Sequence, residues 1–421
     1  MPPESPFRAP VGMHDVLPPA SGRWIEAVTA FADRAARFGY GLVVTPVVEH
    51  REVFQRLGDS SVHKEMYELD DKGGRALALR PEGTAPVVRA YVEHHPTPPW
   101  KVWYLAPNFR YERPQRGRYR QHWQLGAEAL GTADPEVDVE LIALADGFYR
   151  DVGLQRLTLL LNSMGDRDSR PAYVAALREY LLEHGATLGP EFRARVEEAP
   201  LRVLDSKRED WQDVIERAPQ LTEYLGDTSR EHFEAVQRGL DALGIAHELS
   251  PRLVRGFDYY TSTTFEFVSD ALEAAQNAVG GGGRYDYLAE EMGGPPTPGI
   301  GFAVGIERML IAGDAEGALA GQARRGLDAF VIDGVGGNEA TLVAHELRES
   351  GLRVDRLYGG RSVKAQWKVA DRSGAAFGVM LGRDELARAA VAVKDLRSGE
   401  QVEVPREQLA GWLRARREFD R

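Results

Sequence analysis

Between Phe109 and Glu128 the chain reads FRYERPQRGRYRQHWQLGAE. Five arginines, Arg110, Arg113, Arg116, Arg118 and Arg120, precede an apolar stretch carrying Gln124 and Glu128. Guanidinium groups are planar bidentate donors that match phosphate, so a rigid arginine at a strand end suits a polyphosphate and mobile loop arginines suit an RNA backbone. Arg110 and Glu112 are two apart, which puts them on one face of an extended strand. Gln124 and Glu128 are four apart on the returning strand and share a face. A carboxylate beside a carboxamide recognises a hydrogen-bond-donating ligand such as an ammonium or an imidazole. The bland alternatives are a solvated basic hairpin and two exposed polar strand residues.

Four further stretches carry chemistry. RPEGT, Arg80 to Thr84, places Glu82 in a turn at a strand-helix junction, where it can serve a ligand or cap the helix that follows. LVRGFDYYTSTTFEF holds Arg255, Asp258 and the adjacent Tyr259 and Tyr260, which point to opposite sides if the backbone is extended. GGGGRYD, Gly280 to Asp286, loses much backbone entropy on ordering, so either something approaches that backbone closely or the run is a flexible loop. GIGFAVGIERMLI sets Gly299, Gly301 and Gly305 on one side of a strand, open to a flat ring, with Arg308 at the start of a helix facing phosphates. It does not fit the dinucleotide fingerprint GxGxxG in context, and the Walker pattern is absent.

These groups need a scaffold, and hydrophobic periodicity supplies one. GRWIEAVTAFADRAARFGY reads as an amphipathic helix stopped by Gly39. GLVVTPVVEH reads as a strand whose Pro46 belongs at a sheet edge, a strand end or an interface. KVWYLAPNFRYE and RQHWQLGAEALG flank the arginine-rich loop as an antiparallel hairpin. GRALALRPEGTAPVVRAYVEH reads as strand, turn and helix, DVELIALADGFYRDVG as a helix, and RLTLLLN and TSTTFEFV as strands. Residues 166–245 are charged and helix-forming, an inserted module between residues 1–165 and 246–320. A linker near Glu316 to Gly326 leads to residues 326–421, where strand and helix alternate as in a small α/β domain with a partly parallel sheet.

Composition narrows the chemistry. The chain of 421 residues has no cysteine, which removes thiolate nucleophiles, disulfides and Cys-type zinc sites. No apolar run reaches the roughly 18 residues of a membrane helix, and the opening MPPESPFRAPVG lacks a signal-peptide layout, so a cytoplasmic location is expected. The net charge of -12 opposes long-range attraction of nucleic acid. From Gly326 onward, however, 16 Lys+Arg face 15 Asp+Glu, a near-neutral tail on an acidic body.

Taken in order, these segments resemble the class II aminoacyl-tRNA synthetases and, within that class, the histidyl-tRNA synthetase family. Arg23 to Pro46 is similar to motif 1, FRYE with its loop and RQHWQLGAE to motif 2, and GIGFAVGIERMLI to motif 3. RPEGTAPVVRAY, ERPQRGRYRQ, LVRGFDYYTSTTFEF and GGGGRYD resemble the stretches by which the histidine enzymes are known. APLRVLDSK and SVKAQWKVADRSGAAFGVMLGRDEL carry the likeness into the helical insertion and the tail.

The resemblance implies an α+β fold: an antiparallel catalytic sheet flanked by helices, a helical insertion and a C-terminal α/β anticodon-binding domain, in a homodimer built through motif 1. It implies that Arg110 and Arg308 grip ATP phosphates, Glu112 holds the adenine side, and His122 stacks on adenine where the family commonly has Phe. Arg255 is expected at the α-phosphate. Glu82, Thr84 and Gln124 are expected around the amino acid's ammonium and carboxylate, with Glu128 and Tyr260 on the two imidazole nitrogens and Tyr259 beside them. Arg113, Gln115 and Arg116 are expected at the tRNA acceptor end; in the tail, Lys364, Gln366 and Lys368 are candidates for RNA contact, the bland alternative being solvated helix charges. Magnesium is expected with ATP, with Glu112 its nearest ligand. Two rivals share the fold: a catalytically silent regulatory subunit of ATP phosphoribosyltransferase, and a synthetase-like RNA sensor. The first lacks the anticodon domain and the second has a degenerate site.

Overall fold

The computed structural model describes residues 7–55, 64–204, 206, 208–254, 259–273, 277–318 and 326–419. The chain divides into two compact units, Met1–Gly321 and Gln322–Arg421.

In the first unit, α1 (Ala20–Arg37) buries Ala27, Phe31 and Ala35, a four-residue spacing that makes one stripe along the helix. Phe31 meets Phe148 edge to face at 5.0 Å. Complete burial of such a ring stabilises by about 1.5–3 kcal/mol. The helix ends before Gly39, whose φ of 78° is the left-handed conformation a C-terminal glycine adopts without strain. The strands of this unit are β1 (Gly41–Leu42), β2 (Val48–His50), β3 (Tyr67–Asp70), β4 (Ala76–Leu79), β5 (Trp100–Phe109), β6 (Gln121–Leu130), β7 (Leu157–Ser163), β8 (Glu248–Leu249), β9 (Thr261–Ser269), β10 (Ala278–Arg284) and β11 (Gly299–Gly305). Its principal helices after α1 are α2 (Thr84–His94), α3 (Pro135–Asp151), α4 (Arg170–His184), α5 (Asp227–Ala242) and α6 (Ile306–Glu316).

Eight strands form one sheet in the order β1-β5-β6-β11-β10-β9-β7-β8, antiparallel throughout except for the parallel edge pairs β1/β5 and β7/β8. β2, β4 and β3 make a small separate sheet. The expected single strand is split: Pro46 lies in irregular chain between β1 and β2, outside either ladder, where its missing N–H leaves no strand bond unmade. Below the large sheet, α1, α3 and α5 close a core on Leu125, Ala127 and Ala129 of β6. The opposite, even-numbered face of β6 is turned toward α2 and β4 and carries the polar residues. The helices from Tyr173 to Leu225 enclose a core of their own around Leu177, Phe192 and Trp211, whereas α5 packs into the core under the sheet.

The second unit holds β12 (Ala329–Asp333), β13 (Val354–Arg356), β14 (Phe377–Leu381), β15 (Ala390–Asp395) and β16 (Gln401–Pro405), in the order β13-β12-β14-β15-β16. The first two pairings are parallel and the last two antiparallel, the partly parallel sheet expected from alternating strands and helices. Gln366, expected to touch RNA, is interior. Its Oε1 accepts from the Asp333 N–H at 2.7 Å, and its Nε2 donates to the carbonyls of Asp333 at 2.8 Å and Arg361 at 2.9 Å. Helical spacing does not distinguish an outward Gln from one that satisfies a strand end. Lys364 and Lys368 are exposed.

Candidate active site

Alternation along β6 brings His122, Gln124, Gly126 and Glu128 onto one face. Their cross-strand partners on β5 are Asn108, Ala106, Tyr104 and Val102, and on β11 Gly305 and Gly301 sit opposite Gln124 and Glu128. Glu128 is 0% exposed and receives three hydroxyls. Tyr285 donates to its Oε2 at 2.5 Å, while Thr84 at 2.7 Å and Tyr104 at 3.2 Å donate to its Oε1. Burial pushes the Glu128 carboxyl up to about 8, against the opposing pull of these hydroxyls. The same carboxylate contributes to holding the Tyr285 and Tyr104 phenols far above their ordinary range, after burial itself.

Glycines make this packing possible. A Cβ at Gly301 would lie 1.4 Å from Glu128 Oε2, and one at Gly126 or Gly83 would lie 2.3 or 2.4 Å from the Tyr104 ring. The expected flat ring against β11 is therefore, at Gly299, the protein's own Tyr285, 2.4 Å from a hypothetical Cβ. Gly305 alone of the three has nothing within 4 Å. The glycine run of β10 is an ordered strand whose Gly282 faces the Gly301 carbonyl at 2.0 Å from a hypothetical Cβ, the close approach that excludes any side chain.

Glu82 caps α2, its oxygens accepting the N–H groups of Thr84 at 2.6 Å and Ala85 at 2.7 Å. Each oxygen keeps a second lone pair for a ligand. Burial raises its carboxyl, opposed by these N–H groups and by Arg110. Gln124 is held by Asn108, which donates from Nδ2 at 2.6 Å.

At the other end of the face the cations gather. β5 stops at Phe109, so Arg110 and Glu112 are loop residues and do not share a strand face as expected. Tertiary bonding brings them together instead: Arg110 Nη1 is 4.0 Å from Glu112 Oε1, and Arg118 pairs with Glu112 Oε2. Arg110 Nε donates to the Pro81 carbonyl at 2.9 Å, beside Glu82. Arg308, on the first turn of α6, donates to the carbonyls of Gly117 at 3.1 Å and Ala278 at 3.0 Å. His122 lies within the field of Arg110 and Arg308; burial first, then these charges, push its imidazole down to about 3, so the ring is neutral near pH 7. Arg113, Gln115 and Arg116 are exposed on a tight turn closed by reciprocal bonds between Gln115 and Arg118 at 3.0 and 2.9 Å.

Tyr259 and Tyr260 do not diverge. Both are buried in one cluster with ring centroids 4.7 Å apart, because residue 259 lies in a turn rather than a strand. Arg255 and Asp258 lie outside the described residues. Sequence reasoning passed over Tyr104, Tyr285, Asn108 and Glu307. The last accepts the Trp123 N–H with both oxygens at 3.0 and 3.1 Å, and burial raises it to about 7. Tyr285 was within the quoted glycine run, but its partner is 157 residues away. Among the described residues no three His, Cys, Asp or Glu side chains converge as metal ligands. With Glu112 engaged by Arg118, the site does not by itself build a magnesium cradle.

The family model for histidyl-tRNA synthetase matches residues 12–309, and that for the anticodon-binding domain matches residues 330–416. The chain belongs to the histidyl-tRNA synthetase family. The histidine-tRNA ligase of Geobacillus kaustophilus is 48% identical, covering 97% of this chain and 98% of its own. Among solved structures, the apo histidyl-tRNA synthetase of S. aureus superposes with a TM-score of 0.81 at 35% identity, covering 97% of this chain and 99% of that one. A Bacillus halodurans protein described as an ATP phosphoribosyltransferase regulatory subunit/histidyl-tRNA synthetase shares the fold at 22% identity and a TM-score of 0.63, covering 86% of this chain and 96% of its own. Among the described residues of this histidyl-tRNA synthetase family member, no helix is long and apolar enough to cross a membrane.

Proposed function

We propose that this chain activates L-histidine with ATP and transfers the histidyl group to the 3′ end of the histidine tRNA. The observation that carries the histidine specificity is Glu128: a buried carboxylate with three hydroxyl donors fixed on it. One acceptor direction remains for an imidazole N–H, since a carboxylate offers about four lone-pair sites. Tyr260 takes the second ring nitrogen. A ligand without ring nitrogens leaves the remaining acceptor direction of this buried carboxylate unfilled, a form of discrimination stronger than apolar fit gives.

Glu82, Thr84, Gln124 and Tyr259 surround the amino acid's ammonium and carboxylate. Arg110 and Arg308 hold the ATP phosphates, His122 stacks as a neutral ring on adenine, and Glu112 lies on the adenine side. A histidine carboxylate oxygen attacks the α-phosphorus, the α–β P–O bond breaks, and pyrophosphate leaves with the bonding electrons. Arg255 offsets the charge that develops at the α-phosphate, a contribution of position and field rather than of covalency. The terminal tRNA hydroxyl then attacks the acyl carbon and AMP leaves. Arg113, Gln115 and Arg116 project from the loop toward the acceptor end. Magnesium accompanies ATP, and no step is assigned to it.

The reading extends to organisation. Residues 1–165 and 246–320 form the catalytic domain, 166–245 the helical insertion and 326–421 the anticodon-binding domain. The chain works in the cytoplasm as a homodimer, and the exposed apolar side chains of Ile25, Leu42 and Val44 along motif 1 support the dimer. The silent regulatory subunit finds no support, because the anticodon domain matches and Arg110 and Arg308 remain. Histidine-dependent exchange of labelled pyrophosphate into ATP tests the assignment. Exchange that ignores other amino acids and collapses in Arg255→Ala is expected; none from folded wild-type protein would overturn it.

A further inference from the structure

Behind the site lies a buried ion pair that no part of the chemistry above uses. Arg284 is 1% exposed and Asp138, on α3, is 0% exposed. All five guanidinium N–H groups of Arg284 are engaged. Nε and Nη2 reach Asp138 Oδ2 at 3.1 Å and Oδ1 at 2.6 Å. The remaining bonds go to the carbonyls of Thr132 at 3.1 Å and Asp134 at 3.0 Å, and to Asp286 Oδ1 at 3.2 Å. Asp138 Oδ2 also takes Thr263 of β9 at 2.6 Å and His232 of α5 at 2.8 Å.

These bonds join the backbones that present the imidazole-binding groups. Thr132 follows β6, the strand of Glu128. Tyr285, the donor to Glu128, is the residue after Arg284. Asp286 Oδ2 accepts the Thr261 hydroxyl at 3.3 Å, and Thr261 follows Tyr260. The β9/β10 register shifts between Gly283 and Arg284, and Ser262 is held at a φ of 44° beside it. A bulge re-aims the side chains around it and persists only where its surroundings over-determine it. Ser262 itself is held by its N–H on the Gly165 carbonyl at 2.7 Å and its carbonyl on the Met164 N–H at 2.6 Å, and Arg284 fixes the facing β10 side of the shift with a rigid, fully used fork.

We infer that Arg284, clamped on Asp138, is a positioning residue for histidine recognition, setting Tyr285 and Tyr260 against Glu128 without touching substrate. The inference rests on the histidine reading of this site. The ATP-binding arginines lie at the opposite end of β6 and share none of these bonds, so the pair acts on one substrate and not on the other.

The test is pyrophosphate exchange on the full chain, normalised to titrated active sites, in Arg284→Lys and Thr261→Val, with thermal midpoints measured in parallel. Lysine keeps the charge and loses the fork. In Arg284→Lys the KM for histidine rises tenfold or more while the KM for ATP stays within twofold. Thr261→Val keeps the shape, removes only the link to Asp286, and raises the histidine KM about threefold without lowering the midpoint. Parallel changes in both KM values, or a lower midpoint with both unchanged, would show a merely structural pair and overturn the inference. Should Arg284→Lys not fold, an unchanged histidine KM in Thr261→Val overturns it equally. Wild-type protein without histidine-dependent exchange would sink the parent reading instead.

Discussion

Replacing Tyr285 by Phe removes one oxygen and leaves the buried ring seated over Gly299. The lost bond is the 2.5 Å donation to Glu128 Oε2, the shortest of the three hydroxyl contacts on that carboxylate. A hydrogen bond to a charged group contributes about 1.5–3 kcal/mol, or about 10- to 150-fold. At about 1.36 kcal/mol per pKa unit, this is a rise of about one to two units in the carboxyl's proton affinity. Burial holds the Glu128 carboxyl up at about 8, so on the proposed reading the form that accepts an imidazole N–H is the minority species at pH 7 and histidine binding releases a proton. The kcat/KM for histidine in pyrophosphate exchange therefore climbs from pH 6 to pH 8 in the wild type. In Tyr285→Phe that limb moves upward by about one to two units while the KM for ATP holds. Ionisation of free histidine is common to both proteins and cancels in the comparison. The stability sign is opposite: a carboxyl raised in the folded state stabilises it below the unfolded value near 4.5, and that contribution is lost as pH rises through about 8. A limb that stays in place in the variant would refute Glu128 as the imidazole acceptor.

Three further outcomes are expected. Gly301→Ala drives a methyl into Glu128, where a Cβ meets Oε2 at 1.4 Å, so histidine-dependent exchange falls at least about 100-fold while circular dichroism still reports folded protein. His122→Phe keeps the KM for ATP within a few-fold and leaves its pH dependence between 5 and 8 unaltered, because the imidazole at about 3 is already neutral there; a large loss of ATP affinity would assign His122 a hydrogen bond rather than a stack. Gln366→Ala leaves the Asp333 N–H without its side-chain acceptor and lowers denaturant stability by about 1–3 kcal/mol, without changing exchange in the catalytic unit.

What could be read from the sequence was what periodicity and glycine placement encode. The stripe of α1, the β5/β6 hairpin and the closely approached β10 backbone follow from apolar spacing, turn residues and the absence of side chains. The Arg110 and Glu112 pairing was found for the wrong local reason: both leave the strand, and a loop folded back by Arg118 brings them together. The tyrosine pair misled because alternation holds only in extended backbone, and Tyr259 is in a turn. Glu128's partners were out of reach altogether, standing 24, 44 and 157 residues away on β5, on α2 and just past the end of β10. Such contacts are a property of strand order, which no local window contains.

The division of labour along β6 follows from the physics of its two ends. From His122 to Glu128 the strand advances about 20 Å at roughly 3.3 Å per residue, enough to lay a purine at one end and an amino-acid side chain at the other. On the proposed reading the cationic end must stay accessible, because a polyphosphate arrives hydrated and the guanidiniums now resting on the Gly117, Ala278 and Pro81 carbonyls must exchange those partners for it. Glu128 needs the opposite setting. A carboxylate in water does not distinguish an imidazole from any other donor, whereas one stripped of water and already holding three hydroxyls accepts only a ligand that completes its set. The glycines at 83, 126 and 301 let Tyr104 and Glu128 fill that end with protein, and Gly305 leaves the other end open. On the proposed reading, an acidic chain thus sets Arg110 and Arg308 at the phosphate end of β6 and keeps its discriminating carboxylate at the end that protein fills, where Glu82 is the neighbouring carboxylate that adds to the rise in its pKa.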